Sequence, residues 1–458
     1  MHSATNPRGL AWELCRRVSV DDAYANLAWE DILGQSSLSR EEKAFATHLA
    51  YGTLRHQGTI YAIVEKASGR GPGTIDAEVW WVLQLGTFQW LWMRTPAHAV
   101  VNESVKLCKK VGHHAASGLV NAVLRKVTAK DLEAWLSVIT DDAEDDTSKR
   151  ALRYAHPAWV VTLLEQALGD SEPEGSGKEI ESLLDSHNAP VTPTLVLLPG
   201  LATKSPAETP TRFSPLGVYA QAGSPGLDPR VREGVARVQD EGSQLAALVL
   251  TAAQPITEPI AVADMCSGPG GKSALLAATL AESGSSLTAI EKAPHRAKLV
   301  SSALAPFSGI TPAPSVLTGD AATVMADLGV AFDRVLLDAP CTGLGALRRR
   351  PESRWRKNGS DLVGLVELQR ELLAAAWANT TPGGIIVYVT CSPVVAETTQ
   401  QMVWFDDTFP ITLLDTPAIL DQATNGTISG HRRGSAVQLW PHRHHTDAMF
   451  IQAISRER

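Results

Sequence analysis

A chain of 458 residues with 44% hydrophobic content exceeds one ordinary domain and argues for two or three. No apolar run reaches the roughly 18 residues of a membrane span, and the start MHSATNP (Met1 to Pro7) lacks a basic-then-apolar leader, so a cytoplasmic protein without a membrane partner is expected. A net charge of −8 argues against an indiscriminate nucleic-acid binder, and five cysteines with no close pairs argue against a disulfide framework or a zinc site.

The first 130 residues read as mostly helical and carry 15 Lys+Arg against 11 Asp+Glu, a local balance of +4. Helices are predicted over Glu41–Leu54, Ala77–Met93, Val100–Val111 and Ala115–Val127, with Gly112 as a stop between the last two. Cys15 and Cys108 fall among helical apolar positions, as buried packing residues do. Trp80, Trp81, Trp90 and Trp92 read as core rather than as a base-stacking platform. The acidic segment Thr140 to Ser148 (TDDAEDDTS) is the candidate linker, followed by a helix over Pro157–Leu168. The insert Asp170 to Lys178 (DSEPEGSGK) reads as a flexible loop. Residues 190–235, rich in Pro, Gly and Thr, suggest short strands such as Leu195–Leu198.

From about Val238 strands and helices alternate. Strands are predicted over Ile260–Ala263, Ser286–Ile290, Val316–Thr318, Arg334–Leu337 and Ile385–Val389. Helices are predicted over Lys272–Glu282 and Leu362–Ala378. Such alternation implies a parallel, doubly wound sheet. After the first strand, the loop Cys266, Ser267, Gly268, Pro269, Gly270, Gly271 and Lys272 opens into a helix. Its small residues admit a ligand to the backbone, and the helix start offers free N–H groups. The spacing is not the G-x-G-x-x-G of dinucleotide enzymes. Glu291, Asp320 and Asp338 end the next three strands, where one cofactor can meet a carboxylate at its ribose hydroxyls and another at its adenine amino group. Singly each acid reads as a surface residue; together at consecutive strand ends they read as a site.

Cys341 (DAPCTG) and Cys391 (TCSP) follow the fourth and fifth strands. Carbon 5 of cytosine is too poor a nucleophile to take a methyl group directly, but addition of a thiolate to carbon 6 activates it. Asp338 is placed to hydrogen-bond ring nitrogen 3 as charge develops. Position alone leaves open which thiol attacks. The run Leu347 to Lys357 (LRRRPESRWRK), with six basic residues and one acid, is a candidate RNA-binding patch.

The motifs DMCSGPGGK, DAPCTGLGALRRRPESRW and TCSPVVAET closely resemble the RsmB/Sun-type family of ribosomal RNA cytosine-5 methyltransferases. Val238 to Ala247 (VQDEGSQLAA) resembles that family's entry to the catalytic domain. Ser104 to Lys126, ending GLVNAVLRK, resembles its NusB-like RNA-binding domain. In that family the TCS cysteine is the nucleophile, which implies Cys391, and the DAPC cysteine assists product release, which implies Cys341. Glu291 stands where the family commonly has Asp, and Asp447–Phe450 reads DAMF where it usually has D-G-F.

The resemblance implies a multidomain chain: an all-α NusB-like domain (1–135), an acidic linker (136–150), a small α+β connecting domain (151–237) and a Rossmann-like methyltransferase domain (238–458). The implied cofactor is S-adenosylmethionine, the partner is ribosomal RNA (16S), and a monomer is expected. No metal is required, and the His442–His445 run reads as a basic surface patch. A nucleotide-binding oxidoreductase would share the fold but leave the two cysteines unexplained. A catalytically inactive RNA-binding assembly factor could tolerate losing the loop or a thiol, yet all are present.

Overall fold

Asn6 accepts a hydrogen bond from the Arg8 amide at 2.9 Å and Pro7 fills the first turn, which together start α1 (Pro7–Val20). The computed structural model describes residues 6–458 apart from 72, 172–175, 222–224 and 425–427. Helices α2 (Ala25–Gly34), α3 (Arg40–Arg55), α4 (Gln57–Ser68), α5 (Ala77–Leu91), α6 (Ala97–Lys110) and α7 (Ser117–Val127) follow. A capping box between Ser39 and Glu42 fixes the start of α3, and Gly112 adopts φ +98° between α6 and α7. Helices α8 (Leu132–Thr140), α9 (Asp146–Tyr154), α10 (Ala158–Ser171) and α11 (Ser176–Asn188) complete the helical series. The acidic segment thus spans the end of α8 and the start of α9, where Asp145 caps the Ser148 amide. Part of the polar insert, 172–175, lies outside the described residues.

Packing divides the chain into two compact units. The first comprises Met1–Glu165, Gly175–Pro190 and Leu347–Lys357. Its core includes Trp80 and Trp81; Trp90 and Trp92 are half-buried against it, and Trp92 stacks on His56 with ring centroids 4.4 Å apart. All four tryptophans serve packing, as expected. Cys15 and Cys108 are buried there too.

The basic run Leu347–Lys357 belongs to this helical unit, and it divides between buried and accessible arginines. Arg354 is fully buried and donates to the carbonyls of Arg55 (3.2 Å), Ala155 (2.9 Å) and His187 (3.4 Å), and to Asn188 Oδ1 (2.9 Å). These acceptors lie at the carboxyl ends of α3, α9 and α11, where unpaired carbonyls and helix dipoles favour a cation. Arg356 lies over the Tyr24 ring at 4.6 Å and pairs with Asp22 at 3.3 Å. Arg348 is buried as well, whereas Arg350 is exposed.

The second unit comprises Gln166–Glu174, Val191–Ala346 and Asn358–Arg458. It opens with an antiparallel sheet of β1 (Thr194–Leu197), β2 (Gly217–Tyr219) and β3 (Ala236–Val238), in the order β2-β1-β3. The large sheet contains β4 (Ala261–Met265), β5 (Ser286–Glu291), β6 (Ser315–Thr318), β7 (Phe332–Asp338), β8 (Thr380–Thr390), β9 (Ile411–Leu413), β10 (Arg432–Arg433), β11 (Ala436–Gln438) and β12 (Phe450–Arg456). Their order is β10-β11-β12-β8-β7-β4-β5-β6, with β9 paired to β12. The five strands β4 to β8 are parallel, as predicted. The sheet as a whole is mixed, because β12 runs antiparallel to β8 over six residue pairs, Phe450↔Thr390 to Ser455↔Ile385. The sequence reading ended at β8. Strands β9, β10 and β11 are only three, two and three residues long, and β12 pairs antiparallel with β8, so this segment gave no parallel-sheet signal.

Candidate active site

Register levels the carboxyl ends of the parallel strands: Met265 pairs with Ile290 and Leu337, Glu291 with Thr318, and Asp338 with Val389. The chain runs outward from β4 to β5 and β6, then returns to β7 on the other side of β4. The crevice at that switch point is where open α/β sheets bind ligands. The loop 266–272 follows β4 and the loop carrying Cys341 follows β7, so they flank it. The single edge gathers Cys266–Lys272, Glu291, Asp320, Asp338, Cys341 and Cys391.

The β4 loop is shaped for close approach. Cys266 adopts φ +59°, and Gly270 adopts φ +98° at the start of the helix Gly271–Leu280. A Cβ on Gly270 would meet Ala303 Cβ at 2.7 Å and Val300 Cα at 2.9 Å, so only glycine fits. Ser267 N–H and Oγ both donate to the Ile290 carbonyl, at 2.9 and 3.0 Å. Glu291 is 3% exposed; its carboxylate accepts from the Gly268 and Ala293 amides, each at 2.9 Å, and pairs with Arg296 at 3.4 Å. Asp320 caps the helix Ala321–Leu328 through the Ala322 amide at 3.1 Å. Its hydrogen bond to Lys292 Nζ (3.0 Å) holds its carboxyl below the usual range. Asp264, one residue short of the β4 end, is buried with Oδ2 bound to Ser273 Oγ and Oδ1 without a hydrogen-bond partner. A glycine cradle, an orphaned buried carboxylate oxygen and flanking acids fit a cofactor rich in hydroxyl and amino donors.

Lys272, which the sequence reading assigns to the cofactor loop, donates to Asp338 Oδ2 at 2.7 Å. Burial opposes its ammonium charge, yet Asp338 and the nearby Cys391 and Asp264 outweigh that and raise its pKa. Cys341 and Cys391 approach to 3.5 Å between sulfurs, at the ends of paired strands. The bond to Cys391, burial, and the neighbouring Cys391 and Glu397 all push the Cys341 thiol well up.

The sequence reading missed Asp264, Gly345 and Glu397. Asp264 and Glu397 stand inside quoted motifs, but nothing local marks them as buried. Gly345 N–H donates to the Cys391 carbonyl at 2.9 Å, and its own carbonyl accepts from Ala448 N–H at 2.9 Å. That contact places the DAMF segment, whose Asp447 amide bonds Asp240 Oδ1 at 3.0 Å. Within the histidine run His442 and Arg443 are half-buried and His445 is exposed, but His444 is buried, accepts from the Trp440 amide at 2.8 Å, and has its pKa pulled to about 4 by burial. His444 is a packing group, so it does not contribute to the basic surface patch expected of the run.

Residues 251–455 match the family described as 16S rRNA methyltransferase RsmB/F, and residues 5–129 match the NusB family. The chain is 41% identical to a putative methyltransferase of Mycobacterium tuberculosis over 98% of this chain and 96% of that one. It is 31% identical to the ribosomal RNA small subunit methyltransferase B of Pseudomonas syringae, over 86% and 85%. The fold also matches the crystal structure of PH0851 with a TM-score of 0.77 at 21% identity, covering 99% of both chains. With a NusB domain ahead of a Rossmann-like domain, the chain belongs to the RsmB/F family and is an S-adenosylmethionine-dependent ribosomal RNA methyltransferase.

Proposed function

We propose that the enzyme methylates carbon 5 of a cytidine in 16S ribosomal RNA through a covalent bond between Cys391 and carbon 6. The observation that carries this reading is the pair of sulfurs 3.5 Å apart beside the Lys272–Asp338 ion pair, at the switch point of the sheet. Loop 266–272 with Glu291 and Asp320 would hold the cofactor. Bound S-adenosylmethionine supplies an electrophilic methyl group on its sulfonium. Cys391 adds to carbon 6 as the thiolate, with the Lys272 ammonium close by. Asp338, held by Lys272, would meet the ring at nitrogen 3 in its protonated form and donate that proton as negative charge develops there, leaving a carboxylate paired with Lys272. After carbon 5 has accepted the methyl group, its proton must pass to a base; Cys341, once it has given its own proton to solvent, takes it as the thiolate. The electrons released re-form the 5,6 double bond, and the carbon–sulfur pair returns to Cys391.

In this reading residues 1–135 dock the RNA, 136–150 link, 151–237 connect and 238–458 carry the chemistry, in a cytoplasmic monomer. Bisulfite sequencing of ribosomal RNA from a strain lacking the gene tests it. One 5-methylcytosine should vanish from the small-subunit RNA, returning with the wild-type gene and not with Cys391→Ala. An unchanged methylation pattern would overturn the reading.

A further inference from the structure

Glu397 is completely buried in the second unit. Four neutral donors surround its carboxylate. Oε1 accepts from the Thr342 amide at 2.7 Å and from Gln369 Nε2 at 3.2 Å. Oε2 accepts from the hydroxyls of Thr342 at 2.5 Å and Ser392 at 2.6 Å. A carboxylate offers about four lone-pair sites, so this acceptor is saturated. Thr342 and Ser392 immediately follow Cys341 and Cys391, so one carboxylate holds the residue after each thiol. Gln369 extends the tie to the other flank of Cys341 by donating to the Pro340 carbonyl at 2.8 Å. Tyr388 OH donates to the Glu397 carbonyl at 2.9 Å and anchors the segment to β8.

We propose that Glu397 is a positioning residue for the methyl transfer: its carboxylate clamps the Cys341 and Cys391 loops together and sets the distance between the two thiols. This rests on the reading that those thiols react, and extends it to a residue that touches neither substrate nor cofactor. A buried network in which every member is satisfied rigidifies what it joins, and losing one member leaves the others unpaired. The same negative charge lies close enough to Cys341 to help keep it protonated; the other ionisable neighbours of that thiol are Cys391 and Tyr388.

The test uses the full chain, without RNA for thiol oxidation and with undermethylated small-subunit RNA for methylation. Diamide, an azo oxidant, takes one hydrogen from each thiol to become a hydrazine, leaving a Cys341–Cys391 disulfide that peptide mass spectrometry quantifies. Glu397→Gln should slow that closure, and single-turnover methylation with it, by about tenfold or more, because reacting groups tolerate little misplacement. Affinity for S-adenosylmethionine should stay unchanged. The pH midpoint for iodoacetamide labelling of Cys341 should fall, which a purely structural role would not produce. If Glu397→Gln does not fold, Thr342→Val and Ser392→Ala each remove one bond and should slow closure less, in the same direction. An unaltered closure rate in every folded variant overturns the clamp itself. Slowed closure with undiminished methylation also overturns the proposal, and places the fault in the assignment of the thiols.

Discussion

Asp264 shows how far one buried atom can shape the behaviour of the site. Burial pushes its carboxyl up to about 7, with the Ser273 bond opposing, Asp338 reinforcing, Lys272 opposing and Glu291 reinforcing. The native state thus holds this proton more tightly than the unfolded chain, where an aspartate titrates near 3.9. The stability linked to it is fully present below about pH 4, falls as the pH rises towards about 7, and is then constant; three pKa units correspond to about 4 kcal/mol. Asp264→Asn should remove that decline, which urea melts of both proteins between pH 4 and 8 would reveal as converging differences. Parallel curves would show that Asp264 is ionised in the fold. Asp320→Ala should weaken S-adenosylmethionine binding in calorimetry; unchanged affinity would exclude Asp320 from the site. At this scale the sequence was partly legible. Cys341 and Cys391 announced themselves in turn motifs after apolar runs, but their 3.5 Å approach depends on β7 and β8 being neighbours. Glu397 carried little local signal, because three of its four donors come from Thr342 and Gln369, 55 and 28 residues away.

Among the elements, the loop after β7 and the strand β12 meet at Gly345. A Cβ there would overlap the Ala448 carbonyl oxygen and lie 2.8 Å from that of Cys391. Both are backbone atoms and cannot swing aside. Gly345→Ala should therefore displace the Cys391 loop and cut methylation by about a hundredfold, while binding of S-adenosylmethionine persists. Near-normal turnover would show that the two loops yield independently. The Arg354 cluster makes a comparable demand on the helical unit. Arg354→Met keeps the bulk but strands the carbonyls of Ala155 and His187, and should cost about 3 kcal/mol in denaturant unfolding. A loss within about 0.5 kcal/mol would mark the cluster as incidental. The parallel strands were readable because alternation and glycine loops are local patterns. Arg354 was not, since a run of arginines looks alike in water or beneath three helix ends.

For the whole molecule, the run Leu347–Lys357 departs from the catalytic sequence and joins the helical unit, so one cut cannot separate the two units cleanly. A fragment of residues 238–458 lacks every acceptor of Arg354, and trypsin should cleave it after Arg354 while sparing that bond in the full chain. Equal protection would mean the run packs without its helical partners. The −8 overall charge beside a +4 balance in residues 1–130 was legible from composition and fits a selective RNA partner. The most direct measurement is denaturing gel electrophoresis of the full chain after incubation with S-adenosylmethionine and undermethylated small-subunit RNA. Cys341→Ala should form the bond to carbon 6, transfer methyl and stall, giving a protein–RNA crosslink that survives denaturation, whereas Cys391→Ala should give neither crosslink nor methylation. A crosslink trapped by Cys391→Ala in place of Cys341→Ala would contradict the assigned roles, and turnover by both variants would contradict covalent catalysis by these thiols.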